Sequence, residues 1–125
     1  MNIRQAAVKD LPAIKQLIVR HPKQIIQNHI PKAKDFFVAE QDGAIVACCA
    51  LEVYSRRLAE VRSLVVDEEF QRRGIASKLI KQCLKRAKAL KIYEVLSITG
   101  AVSLFERQGF KTFNNEKYAL LKMMD

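Results

Sequence analysis

The stretch VVDEEFQRRGIA, from Val65 to Ala76, constrains this chain more than any other, because an apolar strand runs there into a basic, glycine-bearing turn and then a helix. The first N–H groups of a helix have no intrahelical acceptors, and the helix dipole adds partial positive charge beside them. Gly74 lets another group approach the backbone, and Ala76 keeps the next contact small. Arg72 and Arg73 add full charges. Such a turn can hold a phosphate or pyrophosphate. It reads equally as a capped surface helix whose arginines are solvated. The lysine–hydroxyl pair of a P-loop and the extra glycines of a dinucleotide fingerprint are both missing.

Charge distribution bears on the same question. The chain carries a formal net charge of +9 over 125 residues. From Arg72 to Lys91 there are eight Lys or Arg residues and no Asp or Glu, which favours an anionic partner. Lys78, Lys81, Lys85 and Lys88 recur at helical spacing opposite an apolar stripe and suit a solvated face, so the two turn arginines are the ones that call for a ligand. The length is that of one domain, residues 1–125. No apolar run approaches the ~20 residues needed to span a bilayer, and the N-terminus lacks a secretory core, so a cytoplasmic location is expected. Cys48, Cys49 and Cys83 form no C-x-x-C pair and read as reduced packing residues. His21 and His29 lack metal-ligand spacing, so no metal is expected.

Periodicity and turn residues set the element order. Residues 3–7 form a short strand, and Asp10 caps a helix with Pro12 in its first turn and Leu11, Ile14, Leu17 and Ile18 on one face. A short helix falls within 23–34. Strands at 35–40 and 44–54 flank Asp42-Gly43, a strong hairpin signal. A strand at 59–66, a helix at 74–90, a strand at 92–98, a helix at 101–108 and a closing strand pair at 110–113 and 117–123 follow. This mixture predicts an α+β domain with helices on both faces of its sheet.

Laid out in that order, the chain resembles the GNAT superfamily of acetyl-CoA-dependent N-acetyltransferases. Gln71-Arg72-Arg73-Gly74-Ile75-Ala76 matches that superfamily's Q/R-x-x-G-x-G/A signature. Residues 101–110, AVSLFERQGF, resemble its A-x-x-L-Y-E-x-x-G-F segment, and the opening Ile3-Arg4, Ala7 and Asp10-Leu11 and the Asp42-Gly43 hairpin fall in their usual places. Within the superfamily, residues 59–66 and 96–99 are similar to the acetyltransferase domain of N-acetylglutamate synthases, without the amino-acid-kinase domain. The resemblance implies a mixed sheet of about six to seven strands, acetyl-CoA as cosubstrate and an amine acceptor.

It also assigns roles. Leu64, Val65 and Val66 would pair their backbone with the pantetheine arm, in a gap left where strand 92–98 parts from them. Gln71 would belong to the cofactor-binding turn, whose amides from Arg72 to Ala76 would hold the pyrophosphate, with Ser77 and Lys78 adding donors. A backbone N–H of Val65 or Val66 would polarise the thioester carbonyl. Glu60, eleven residues before Gln71, stands where some superfamily members place a catalytic base. Strand alternation puts it on one face with Arg62, Leu64 and Val66, and a salt bridge to Arg62 or Arg56 is its structural alternative. Phe105 replaces the usual tyrosine and has no proton to give the departing thiolate, for which Ser103 or Tyr118 are substitutes. Arg56, Arg57 and Arg62 can hold an acceptor carboxylate such as that of glutamate, or be surface charges.

Three other readings stay open: an acetyltransferase acting on a protein or aminoacyl-tRNA amine, an inactive acyl-CoA-binding module, and a basic nucleic-acid-binding module. The last lacks any RNA-recognition, zinc-finger or helix-turn-helix pattern. No membrane partner is expected, and a homodimer is compatible with the sequence.

Overall fold

In the computed structural model, residues 1–21, 30–112, 120, 122 and 124 are described. The strands are β1 (Asn2–Gln5), β2 (Phe36–Gln41), β3 (Ala44–Val53), β4 (Leu58–Val66) and β5 (Glu94–Leu96). The helices are α1 (Leu11–Val19), α2 (Ile75–Ala89) and α3 (Val102–Glu106). The strands form one sheet in the order β1-β2-β3-β4-β5, antiparallel except for the parallel β4–β5 pair. The long α2 crossover supplies the length that a parallel connection needs.

Both faces of the sheet are covered, which is why β2 and β3 read as near-continuous apolar runs. On one face Ile14, Leu17 and Ile18 of α1 pack on Phe36, Val38, Cys48, Ala50 and Val65. On the other, Ile75, Leu79, Ile80, Cys83 and Ala87 of α2 pack on Phe37, Ala39, Cys49, Leu51, Val61 and Val66, with Phe105 of α3 at the margin. Lys78, Lys81, Lys85 and Lys88 point to solvent, as their spacing requires. Asp42 and Gly43 both take positive φ (51° and 80°), the pair of values that a tight hairpin demands.

Several expectations need correction. The sheet has five strands among the described residues rather than six to seven. Residues 110–112 are not strand, and most of the last predicted strand, like most of the predicted helix within 23–34, lies outside the described residues. The strand expected at 92–98 is confined to Glu94–Leu96, because the chain leaves β4 beyond that point.

Asp10 does not cap α1 with its side chain. Its carboxylate turns back to accept from the Ala7 N–H (2.7 Å) and, bidentately, from Arg4 (2.7 and 3.0 Å). Arg4 also reaches Glu40 (3.2 Å), tying the first turn to β1 and β2. A charged fork with fixed donors outcompetes a single capping bond.

The Arg4 guanidinium, with the Ala7 amide, holds the Asp10 carboxyl down at about 2 against an ordinary 3.8. A depressed folded value means stability that is present above the unfolded value and lost as pH falls through the folded one. Asp10→Asn should therefore cost about 2 kcal/mol in urea unfolding at pH 7, and the gap to wild type should narrow below pH 4 and close near pH 2. An equal gap at every pH would remove the ion pair as its source.

Candidate active site

The site is built by β4, the turn that follows it and the segment after β5. Val65 pairs with Cys48 and Arg62 with Ala50, which leaves Ser63 and Leu64 opposite Cys49 alone. This is a β-bulge, and Ser63 takes a left-handed φ of 55° within it. The bulge resets the alternation that the sequence suggested. Leu64 and Val66 join Val61 on the α2 face, while Val65 turns to the α1 face. Glu60 and Arg62, paired with Glu52 and Ala50, share the Val65 face and not that of Leu64 and Val66.

Pairing between β4 and β5 ends at Glu60–Leu96. One bond follows, from Ser97 Oγ to the Val61 carbonyl (2.9 Å), and then the strands part. The gap opens into a cleft of about 710 Å³, floored by β4 and walled by residues 97–101, the turn before α2, and α3. Of the residues proposed from sequence, Leu64, Val66, Gln71, Arg72, Gly74, Ile75, Ala76 and Ser77 line it. Val65 and Arg73 do not: Val65 is fully buried on the opposite face, and Arg73 stacks over the Phe70 ring at 5.1 Å.

Main-chain direction separates Val65 from Val66 as well. Asp67 N–H bonds to the Val46 carbonyl on the β3 side (2.9 Å), while Gln71 Nε2 takes the Val66 carbonyl on the other (2.9 Å). Alternation along a strand then turns the Val66 N–H to the cleft and the Val65 N–H to β3. At the helix start, Gly74 is the N-cap with φ 79° and no side-chain cap, and Arg72 is also left-handed at φ 64°. The first return bond runs from Lys78 N–H to the Gly74 carbonyl (3.2 Å), so the amides of Ile75, Ala76 and Ser77 have no helical acceptor. A Cβ on Gly74 would meet nothing within 4 Å, so the glycine is required there by its φ and by what approaches it from outside.

The charge of the cleft is one-sided. Among the described residues Arg62, Arg72 and Arg107 line it and no carboxylate does, an arrangement that raises the local concentration of an anionic ligand. Arg107 escaped the sequence reading. It enters because α3 docks on the start of α2, where Gln108 Nε2 donates to Ser77 Oγ (2.5 Å), and no local pattern predicts that docking.

Glu60 lies just outside the cleft lining, half-buried, and accepts a hydrogen bond from the Tyr54 hydroxyl. Burial first, and then this carboxylate, push the Tyr54 phenol up to about 12, so it remains a donor. Glu52, directly across from Glu60, is paired with Arg62 at 2.8 Å. Arg57 is bound to Glu94 (2.8 Å) and lies over the Tyr93 ring (4.8 Å), while Arg56 is exposed. Phe105 is buried edge-on against Phe110, with centroids 5.1 Å apart, as a packing residue. Ser103 is exposed and does not line the cleft, and Tyr118 lies outside the described residues. His21 is held by Asp67 (3.3 Å). All three cysteines are free and buried, and no group of described residues could hold a metal ion. No described helix is long and apolar enough to cross a membrane.

A sheet parted above a helix start with open amides, with Arg72 and Arg107 beside it, fits an extended ligand that carries phosphate groups, as an acyl-coenzyme A does. Residues 32–112 match the acetyltransferase (GNAT) domain family, and the chain belongs to it. Its activity class is acetyl-CoA-dependent N-acetyl transfer.

The chain is 32% identical to an uncharacterised N-acetyltransferase of Chlorobaculum tepidum, over 93% of this chain and 79% of that one. It is also 32% identical to the amino-acid acetyltransferase of Mycobacterium tuberculosis, over 86% and 67%. The amino-acid acetyltransferase of Pasteurella multocida is 28% identical, and the chain spans 27% of its length. Among solved structures, a Mycobacterium tuberculosis protein in complex with CoA superposes with a TM-score of 0.81 at 30% identity, over 89% of this chain and 72% of that one. N-acetylglutamate synthase from Neisseria gonorrhoeae, complexed with coenzyme A and N-acetyl-glutamate, gives 0.78 at 23% identity, over 94% and 30%, a likeness of fold.

Proposed function

We propose that this chain moves the acetyl group of acetyl-CoA to the α-amine of a small amino acid carrying a further carboxylate, glutamate being the first candidate. The observation that carries the reading is the parting of β4 from β5 beyond Glu60–Leu96, directly above the open amides that begin α2. In this reading the diphosphate lies on the amides of Gly74 to Ser77, with Arg72 and Arg107 neutralising it. The pantetheine arm runs along Leu64 and Val66 and takes the Val66 N–H as a donor.

The acceptor nitrogen enters from the Glu60 side, loses a proton to Glu60 directly or through water, and attacks the thioester carbon. Support for an amino-acid acceptor comes from the relatives named amino-acid acetyltransferases. Arg56 is the candidate to hold its carboxylate, since Arg57 is engaged by Glu94 and Tyr93 and Arg62 by Glu52. A cytoplasmic location fits the acetyl-CoA supply and the three free cysteines.

An acceptor screen reads this directly. Thiol release from acetyl-CoA is followed with amino acids, polyamines, peptides and aminoacyl-tRNA. Turnover with acidic amino acids and not with the other classes is the expected result. Turnover confined to peptides or aminoacyl-tRNA would transfer the acceptor to a macromolecule.

A further inference from the structure

Four hydroxyl-bearing residues line the cleft among the described residues, and the hydroxyls of three of them each make a hydrogen bond within the protein. Ser77 Oγ accepts from Gln108, Ser97 Oγ donates to the Val61 carbonyl, and Thr99 Oγ1 accepts the Ala101 N–H. Ser63 differs. It is 8% exposed, and its Oγ is buried with no hydrogen-bond partner. The residue also sits at a left-handed φ of 55° in the bulge of β4. An unpaired buried hydroxyl and a left-handed non-glycine residue each destabilise a fold, and their coincidence in a cleft points to a group awaiting a partner.

Position along the cleft identifies the partner. A ligand anchored by its diphosphate at Gly74 to Ser77 passes Val66 and Leu64 before it reaches Ser63. Beyond Ser63 the gap closes, first by the Ser97–Val61 bond and then by the Glu60–Leu96 pairing. Ser63 therefore stands beside the far end of the acyl-pantetheine arm, where the sulfur is. Phe105 cannot donate to that sulfur and Ser103 does not line the cleft.

We infer that the Ser63 hydroxyl donates a hydrogen bond to the coenzyme A sulfur and stabilises the departing thiolate. The amine nitrogen forms its bond to the carbonyl carbon, the C–S bond breaks, and its electron pair passes to sulfur. Ser63 keeps its proton throughout. The proton that the nitrogen gives up to Glu60 or water is matched by one that the thiolate takes from solvent, so the products are the amide and free coenzyme A. This inference rests on the function proposed above, and its test separates the two.

The test titrates the thiol of coenzyme A bound to the protein, following thiolate absorbance in the ultraviolet, in wild type, Ser63→Ala and Ser63→Gly. Glycine removes the hydroxyl and also suits the left-handed backbone, so the pair separates loss of the donor from strain. Both variants should raise the bound thiol's pKa by about one unit and lower kcat about ten- to a hundredfold, with KM for acetyl-CoA changed by less than about twofold. Coenzyme A bound with the same thiol pKa in all three proteins would overturn the role of Ser63 while leaving the cleft's reading intact. Failure of coenzyme A to bind wild type at all would overturn both.

Discussion

Gly74→Asp is expected to abolish the rise in Tm, about 10 °C, that coenzyme A at about a hundred times its Kd gives the wild-type chain. A ligand bound only to the folded state must stabilise it, and in the proposed site the diphosphate is anchored by main-chain donors. Gly74 is the N-cap of α2 at φ 79°, with open space beside it. A carboxylate projected into that space would meet a diphosphate in the proposed position with like charge and stand over the amides of Ile75 and Ala76. Losing two charge-assisted hydrogen bonds there weakens binding by at least about a hundredfold. Gly74→Ala is the control, since it bears the same left-handed backbone cost of about 1 kcal/mol without the charge and should keep part of the shift. Differential scanning fluorimetry with and without coenzyme A reads both. An undiminished shift in the aspartate variant would move the diphosphate away from this turn.

What was legible in the sequence was local. The Asp42-Gly43 hairpin follows from two residues that tolerate positive φ, and the buried stripe of α2 from Ile75, Leu79, Ile80, Cys83 and Ala87 at helical spacing. The helix start with its arginines was legible for the same reason, because capping is decided by the residues at the cap. Features that depend on a partner strand were not. The bulge at Ser63 exists because Cys49 faces two residues of β4, and strict alternation read through it put Glu60 on the wrong face relative to Leu64 and Val66. Asp10 was misread because Arg4, six residues earlier, wins its carboxylate from the helix end. Arg107 reaches the cleft only through the docking of α3 on α2, which no periodicity encodes.

Glu60→Gln is expected to lower kcat about a hundredfold while leaving the coenzyme A melting shift unchanged. The structure gives Glu60 a specific setting. Glu52 and Glu60 are cross-strand partners, and two facing carboxylates repel unless something intervenes. Arg62 neutralises Glu52 at 2.8 Å, and the Tyr54 hydroxyl donates to Glu60. Glu60 therefore keeps an oxygen able to take a proton at the point where β4 and β5 begin to part. Glutamine fills the same volume and can still accept from Tyr54, but it cannot receive the amine's proton. A catalytic base predicts that the acidic limb of the wild-type pH–rate profile disappears in the variant. A merely structural charge predicts instead a lower Tm with the pH profile intact. Steady-state rates of thiol release from pH 5 to 9, measured with the acceptor found by the screen, distinguish the two, and full activity across that range would remove Glu60 from the chemistry.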